Sequence, residues 1–135
     1  MQLDVTREFE LWVKRAKAKT AEGSAYHRRV LELTAVALTQ LRNLTECPTD
    51  DRPSLKRVRQ SKKFQVWRTS HPFEDGIAVR LICWFPPDDP GSCVVTLFGG
   101  DKASMGDVFY DSVGTRADAA IAQWLHEKGK DSDDE

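Results

Sequence analysis

The feature that most constrains the fold is a run of apolar residues in the second half of the chain that stops at two adjacent glycines. The run covers residues 92–98 and is followed by Gly99 and Gly100. A short, nearly uninterrupted apolar run that ends at turn-forming residues is typical of a central β-strand covered on both faces. Lys102 comes just after the glycines, so the predicted strand presents a lysine at its end.

A second feature is a dense cationic segment upstream of this strand. Residues 56–68 contain no acidic side chain and hold six basic ones, namely Lys56, Arg57, Arg59, Lys62, Lys63 and Arg68. The whole chain has a net charge of −1, but residues 1–100 carry 16 Lys and Arg against 12 Asp and Glu, whereas residues 101–135 carry 4 against 9. A nearly neutral chain with this asymmetry can hold a basic face. The two features together favour a polyanion as partner, with RNA as the first candidate.

Length and composition indicate one soluble domain. The 135 residues suit a single core. The N-terminus lacks the apolar stretch of a signal peptide, and no apolar run approaches the length of a membrane span, so we expect a cytoplasmic protein. Cys47, Cys83 and Cys93 show neither CxxC nor zinc-ligand spacing. We therefore predict reduced, mostly buried thiols, no metal site and no cofactor.

Periodicity and capping signals predict mixed helices and strands. In chain order the predicted elements are an edge strand (2–5), a helix capped by Thr6, a helix over 25–44 capped by Ser24, strands over 64–68, 77–85 and 92–98, a short helix over 105–113, and a last helix that begins after a break at Gly114. This order predicts an α+β domain over residues 1–128, in which an N-terminal helical hairpin and a C-terminal helix lie on one side of a small antiparallel sheet of three to four strands. Residues 129–135 are predicted to be an acidic disordered tail.

Four strings in this order resemble the RelE/ParE superfamily of bacterial toxins, and within it the HigB-like branch. Residues 6–12 resemble the family's first helix, and residues 55–58 before residues 64–68 resemble its basic run and the strand that follows. Residues 79–82 resemble a later strand, and residues 97–104 resemble its Gly-Gly-Asp-Lys-Ser string. The resemblance covers about residues 1–113. The proline-rich loop over residues 86–91 and the long segment after Lys102 depart from the family pattern.

The resemblance implies a toxin of a type II toxin–antitoxin system. RelE-like members cleave mRNA on the ribosome, without a metal, through attack of a 2′-hydroxyl on the adjacent phosphate. ParE-like members inhibit DNA gyrase instead, and a third alternative is a non-catalytic interaction protein on the same fold. The partners implied by the first reading are mRNA, the ribosome and a cognate antitoxin, expected to be a small helix-turn-helix protein encoded beside this chain.

The residue types in the basic region suit phosphate chemistry. The arginine fork matches phosphate oxygens and stabilises charge that develops on them. Arg68 and Arg80 lie on adjacent predicted strands, and the resemblance places both near the RNA-facing surface, so we predict that they bind phosphate and stabilise the transition state. The alternative is a surface ion pair with Glu74 or Asp75.

Three further residues are candidates for catalysis. Lys102 is predicted to bind phosphate or donate a proton, unless it pairs with Asp101 or Asp107. Tyr110 matches a family tyrosine that stacks on the substrate or aids proton transfer, in a register that is ambiguous with Phe109, and core packing is its alternative. His71 lies in the turn after the strand that carries Arg68 and is a candidate general base.

The remaining basic residues are predicted to bind the RNA backbone rather than to catalyse. They are Lys56, Arg57, Arg59, Lys62 and Lys63.

Overall fold

The computed structural model describes residues 1–70, 73–74, 76–88, 91–105 and 112–133. Within these ranges the chain forms four helices: α1 (Arg7–Ala21), α2 (Ala25–Arg42), a short α3 (Lys102–Met105) and α4 (Val113–Asp133). The strands are β1 (Gln2–Val5), β2 (Leu55–Arg57), β3 (Val66–Thr69), β4 (Phe73–Glu74), β5 (Ile77–Trp84) and β6 (Cys93–Asp101). The α+β class, with a helical hairpin first and a long helix last, is confirmed.

Local signals set the ends of the helical hairpin. The Thr6 hydroxyl accepts a hydrogen bond from the Phe9 N–H at 3.1 Å and so caps α1, as the sequence predicts. The Ser24 hydroxyl caps α2 in the same way through the His27 N–H. Gly23 between the two helices has a φ of 101°, a conformation that glycine adopts readily.

The sheet differs from the small antiparallel sheet that we predicted. Its six strands include a main path in the order β1-β6-β5-β3-β2, and β4 pairs with the start of β5. β1 runs parallel to β6, whereas the other pairs are antiparallel, so the sheet is mixed. The prediction of three to four antiparallel strands was wrong for two reasons: β2 and β4 are strands of only three and two residues that no local pattern reveals, and the parallel pairing of β1 with β6 is a long-range contact.

The helices also lie on two faces rather than one. α1 and α2 pack on one face of the sheet, where Leu33, Trp67 and Leu81 belong to the core. α4 packs on the opposite face through Ala117 and Ile121, together with other buried residues. The prediction of helices on one side was wrong, since β5 and β6 are apolar on both faces and each face must be covered.

The start and end of α4 also differ from the prediction. The sequence placed a helix break at Gly114, but the structure includes Gly114 in the first turn of α4. A Cβ at this position would lie 2.3 Å from the backbone oxygen of Gln60, so the glycine permits close packing rather than ending a helix. At the other end, α4 continues over residues 129–133, which we expected to be disordered, because each added residue contributes one more helical hydrogen bond.

In the part of the chain that the structure describes, no helix has the length and apolar character needed to cross a membrane.

Candidate nucleic-acid interface

Strand register brings two of the predicted cations together on one face of the sheet. Lys56 on β2 lies directly opposite Arg68 on β3, which in turn lies opposite Ile82 on β5. Ile82 lies opposite Phe98 on β6. Residues directly opposite each other project to the same face. Because Ile82 and Phe98 belong to the core beneath α4, Lys56 and Arg68 lie on the face that α4 partly covers.

Arg80 lies on the same face, one diagonal step from Arg68. It precedes Ile82 by two residues on β5 and lies opposite Gly100 on β6, and side chains two residues apart on a strand share a face. Diagonal neighbours of this kind are about 7–8 Å apart. Both guanidinium groups are half-buried. The Nη1 atom of Arg68 donates to the Ser70 hydroxyl at 3.3 Å. The Nη1 atom of Arg80 donates to the Val79 carbonyl at 3.2 Å.

Lys102 lies near the same end of the sheet. It is the first residue of α3 and follows Asp101, the last residue of β6, which pairs with Val79. Its side chain is half-buried. Lys102 therefore follows the end of the central strand, as predicted, and the register of β5 with β6 places it two residues after Gly100, the partner of Arg80.

The basic segment forms a groove of about 300 Å³ beside β2 and β3. Among the described residues, Lys56, Arg57, Arg59 and Arg68 line it together with one carboxylate, that of Asp51. Lys62 and Lys63 are exposed but do not belong to the groove lining, and the Lys63 ammonium lies 5.6 Å from the centre of the Phe64 ring. The five basic residues that the sequence places in one RNA-binding group are therefore divided: Lys56, Arg57 and Arg59 line the groove, whereas Lys62 and Lys63 lie outside it.

Asp51 is the counter-ion of this groove. Its Oδ1 atom accepts the Arg57 N–H at 2.8 Å, and its Oδ2 atom lies 3.6 Å from Arg59. The hydrogen bond from Arg57 is the largest cause that holds the pKa of Asp51 below its usual value, and the neighbouring positive charges lower it further. One carboxylate among four cations leaves the groove with a net positive charge.

Lys56 and Arg68 place two positive charges side by side on one face of the sheet. Like charges directly opposite each other on neighbouring strands repel, and cross-strand pairs contribute roughly 0.2–1 kcal/mol in either direction. Arg80 adds a third positive charge one diagonal step away. A polyanion that binds across the three side chains would meet three positive charges on one face, so the geometry suits phosphate binding.

A further cation, Arg116, was missed by the sequence analysis. Its guanidinium carbon lies 4.0 Å from the centre of the Phe98 ring, and its Nη2 atom donates to Glu8 at 2.5 Å. Arg116 therefore covers Phe98 on β6, on the same sheet face as Lys56, Arg68 and Arg80. The signal that could have found it is the apolar spacing of Val113, Ala117 and Ile121, which the predicted break at Gly114 hid.

Two predicted residues, His71 and Tyr110, lie outside the described residues. Among the residues that are described, no group of three or more His, Cys, Asp or Glu side chains is placed to hold a metal ion.

Models of known protein families, curated proteins and solved structures give no match to this chain.

Proposed function

We propose that this chain is the toxin of a type II toxin–antitoxin system and that it cleaves mRNA on the ribosome without a metal. The observation that carries the proposal is the row of cations on one sheet face, in which Lys56, Arg68 and Arg80 come from three neighbouring strands. The resemblance of four sequence strings to the HigB-like branch supports the same reading. The chain would act in the cytoplasm, where mRNA and ribosomes are found.

The proposed reaction is an attack of the ribose 2′-oxygen on the adjacent phosphorus. The bond from phosphorus to the 5′-oxygen breaks, which leaves a 2′,3′-cyclic phosphate and a free 5′-hydroxyl. A base removes the 2′-hydroxyl proton and an acid supplies a proton to the departing 5′-oxygen. No water, metal or redox partner is consumed in this step.

Arg68 and Arg80 are suited to the charge that builds on the non-bridging phosphate oxygens. They lie one diagonal step apart on adjacent strands, so both can reach one phosphate group. Removal of one preorganised donor of this kind lowers the reaction rate by a factor of about 10²–10³. Lys102, at the end of β6, is the proposed proton donor or a third phosphate contact, and His71 and Tyr110 are the proposed residues for the remaining proton transfers.

The cationic groove at Lys56, Arg57 and Arg59 is proposed to hold RNA backbone outside the reacting phosphate. Lys62 and Lys63, which lie outside the groove, are proposed to contact ribosomal RNA. Each phosphate that is neutralised should make binding more sensitive to salt.

The antitoxin is proposed to act by competition. An extended segment with acidic residues would lie over the cationic row and replace RNA phosphates there. This requires an antitoxin gene product with such a segment, and we expect a small helix-turn-helix protein encoded beside this chain.

The test is induced expression in bacterial cells, followed by mapping of mRNA 5′ ends after growth stops. We expect new ends within translated codons for the natural sequence and loss of those ends for Arg68→Ala and Arg80→Ala. Arg28→Ala is a matched control, because Arg28 is an exposed arginine on α2 with an ion pair to Glu32 and it lies far along the chain from the row. Circular dichroism checks that each variant is folded.

Two outcomes would contradict the proposal. Growth arrest with no new mRNA ends would favour the ParE-like alternative, in which DNA gyrase is the target. Cleavage that persists in both arginine variants would show that the row has no role in the reaction, even if the chain is toxic.

A further inference from the structure

A groove of about 390 Å³ lies at the open edge of β6, on the opposite side of the sheet from β2. The paired part of β1 ends at Val5, opposite Thr96, and the Thr6 hydroxyl still donates to the Leu97 carbonyl. Beyond Leu97, in the described part of the chain, no strand pairs with this edge of β6. The groove is lined there by Gly99, Gly100 and Asp101, and by side chains of α1, α2 and α4.

Three cations surround this groove. Arg15 and Lys19 come from α1, four residues apart and both exposed, and Arg116 comes from α4. Lys19 lies 3.7 Å from Glu22, and both side chains are more than half exposed. Exposed ion pairs of this type are weak and are screened by salt, so they can be exchanged for contacts with a phosphate.

The acidic side chain in the groove is already engaged. Asp101 accepts hydrogen bonds from the N–H groups of Ala78 and Ala103 through Oδ1, at 2.8 Å and 3.0 Å. Its Oδ2 atom accepts the Tyr26 hydroxyl at 2.7 Å. Asp101 is buried, so it fixes its neighbours and offers little surface to a ligand. Among the described residues that line the groove, the exposed or half-buried charged side chains are therefore the cations Arg15, Lys19 and Arg116.

Aromatic rings form the wall between these cations. Trp12 packs directly on the β6 backbone, since a Cβ at Gly99 would lie 3.1 Å from its Cζ3 atom. Tyr26 is 41% exposed although its hydroxyl is held by Asp101. Its ring also makes an edge contact with His27, at 5.0 Å between centres and an angle of 84°. An exposed ring that is held at its hydroxyl and its edge presents a preformed stacking surface.

The groove adjoins the cationic row of the sheet. Arg116 lines the groove and also contacts Phe98 at the end of the row, and Gly100 lines the groove and lies opposite Arg80. The row from Lys56 to Phe98 crosses three strand spacings, or about 14 Å. Ile82 and Phe98 are buried beneath α4, so the link between the two sites is the half-buried Arg80, which lies opposite Gly100 at the groove.

We propose that the groove binds one unpaired nucleotide of single-stranded RNA, with its base stacked on Tyr26 and its phosphates held by Arg15, Lys19 and Arg116. The inference rests on the proposed RNA-binding function of the row and adds a base-binding site beside it. Exposed aromatic rings among cations are the common features of surfaces that bind single strands, where stacking on one ring contributes about 1–3 kcal/mol per base. An acidic peptide would use the cations but has no use for the ring.

The charges are tested by fluorescence anisotropy with a short fluorescein-labelled oligouridylate over a range of salt concentrations. The slope of log K against log salt is negative, and the double variant Arg15→Gln/Lys19→Gln is expected to make it less steep by about 1.4. This change corresponds to the loss of two phosphate contacts on a single strand. The matched control is Lys14→Gln/Lys17→Gln, which removes the same charge from α1 but alters residues that line a different groove. Its slope should stay close to that of the natural sequence.

The ring is tested with three probes: the oligouridylate, inorganic polyphosphate and oligoglutamate. Tyr26→Ala is expected to weaken RNA binding about tenfold and to leave the binding of polyphosphate and oligoglutamate unchanged. Tyr26→Phe keeps the ring and should bind RNA nearly as well as the natural sequence. Equal loss for all three probes would overturn the base-binding site, because polyphosphate and oligoglutamate have no base to stack on the ring.

Arg68→Ala separates this inference from the function on which it rests. If Arg68→Ala weakens RNA binding while the Arg15/Lys19 and Tyr26 variants bind normally, the groove is refuted and the proposed function stands. If Arg68→Ala binds RNA like the natural sequence, the cationic row is refuted as the RNA site, and with it the premise of the groove.

Discussion

Replacement of Gly114 by alanine tests how tightly α4 is held against the sheet. A Cβ at this position would lie 2.3 Å from the Gln60 oxygen and 2.8 Å from the Gln60 carbonyl carbon. Both atoms belong to the backbone, so neither can rotate away as a flexible side chain would. α4 cannot retreat easily, because Val113 and Ala117, on either side of Gly114, are fully buried.

The expected magnitude follows from two opposing contributions. Forcing an extra methyl group into a closely packed site costs about 1–3 kcal/mol, and occasionally more. Alanine in place of glycine in a helix contributes about 0.5–1 kcal/mol in the other direction. Since the clash is with backbone, we expect the cost to lie at the upper end and Gly114→Ala to lower the free energy of unfolding by about 2 kcal/mol.

The matched control is Gly129→Ala in the same helix. A Cβ at Gly129 meets no atom within 4 Å, so only the helix preference acts, and the free energy of unfolding should rise by about 0.5–1 kcal/mol. Urea unfolding followed by tryptophan fluorescence and circular dichroism measures both variants. With slopes of about 1–3 kcal/mol per molar urea, the two midpoints should differ by about 1–3 M. Equal midpoints, or a more stable Gly114→Ala protein, would refute the packing argument.

Three further outcomes are expected. Asp51→Asn should tighten RNA binding, because it removes the carboxylate of the cationic groove. In the natural sequence binding should likewise strengthen as the pH falls through the lowered pKa of Asp51, and weaker binding in anisotropy measurements would contradict this. The Leu81 N–H donates to the Thr69 hydroxyl at 2.9 Å. Thr69→Val removes this acceptor and should lower the free energy of unfolding by about 1–3 kcal/mol. Thr69→Ser, measured by the same urea titration, should retain most of the stability. Complete burial raises the pKa of Cys83, so a thiol reagent added to the folded protein should leave Cys83 unmodified until the chain unfolds, as peptide mass spectrometry can show.

Sequence reasoning was most successful where a local signal determines the structure. The caps at Thr6 and Ser24 were predicted because a short polar side chain precedes each apolar periodic segment. The placement of Arg68 and Arg80 on neighbouring strands was also predicted, and the pairing of β3 with β5 confirms it. Their roles in catalysis stay predictions.

The sequence failed where two distant segments meet. β2 was read only as a basic run, because Lys56 and Arg57 hide a strand of three residues whose pairing depends on β3. Gly114 carries the same local signal whether it ends a helix or fits against another backbone. Arg116 could not be assigned to the site for the same reason, since its position depends on which side of the sheet α4 covers.

The parallel pairing of β1 with β6 has a consequence for the order of folding. Gln2 lies opposite Cys93, and its N–H donates to the Ser92 carbonyl at 2.8 Å. During synthesis at about 5–20 residues per second, the first strand must therefore wait roughly 5–18 s for its partner to be made. The α1–α2 hairpin needs only neighbouring residues and can form during that interval.

The strands that carry the cationic row are thus joined to the first strand only after β6 has been made. Pulse-labelled hydrogen exchange during refolding should show amides of α2 protected before those of β1. This experiment uses the complete chain, so it tests whether the local hairpin forms before the long-range pairing of β1 with β6, and simultaneous protection of both would contradict that order. If the order holds, a nascent chain that has not yet reached β6 lacks the assembled sheet, so the sheet face that carries the cationic row is complete only once β6 has been made.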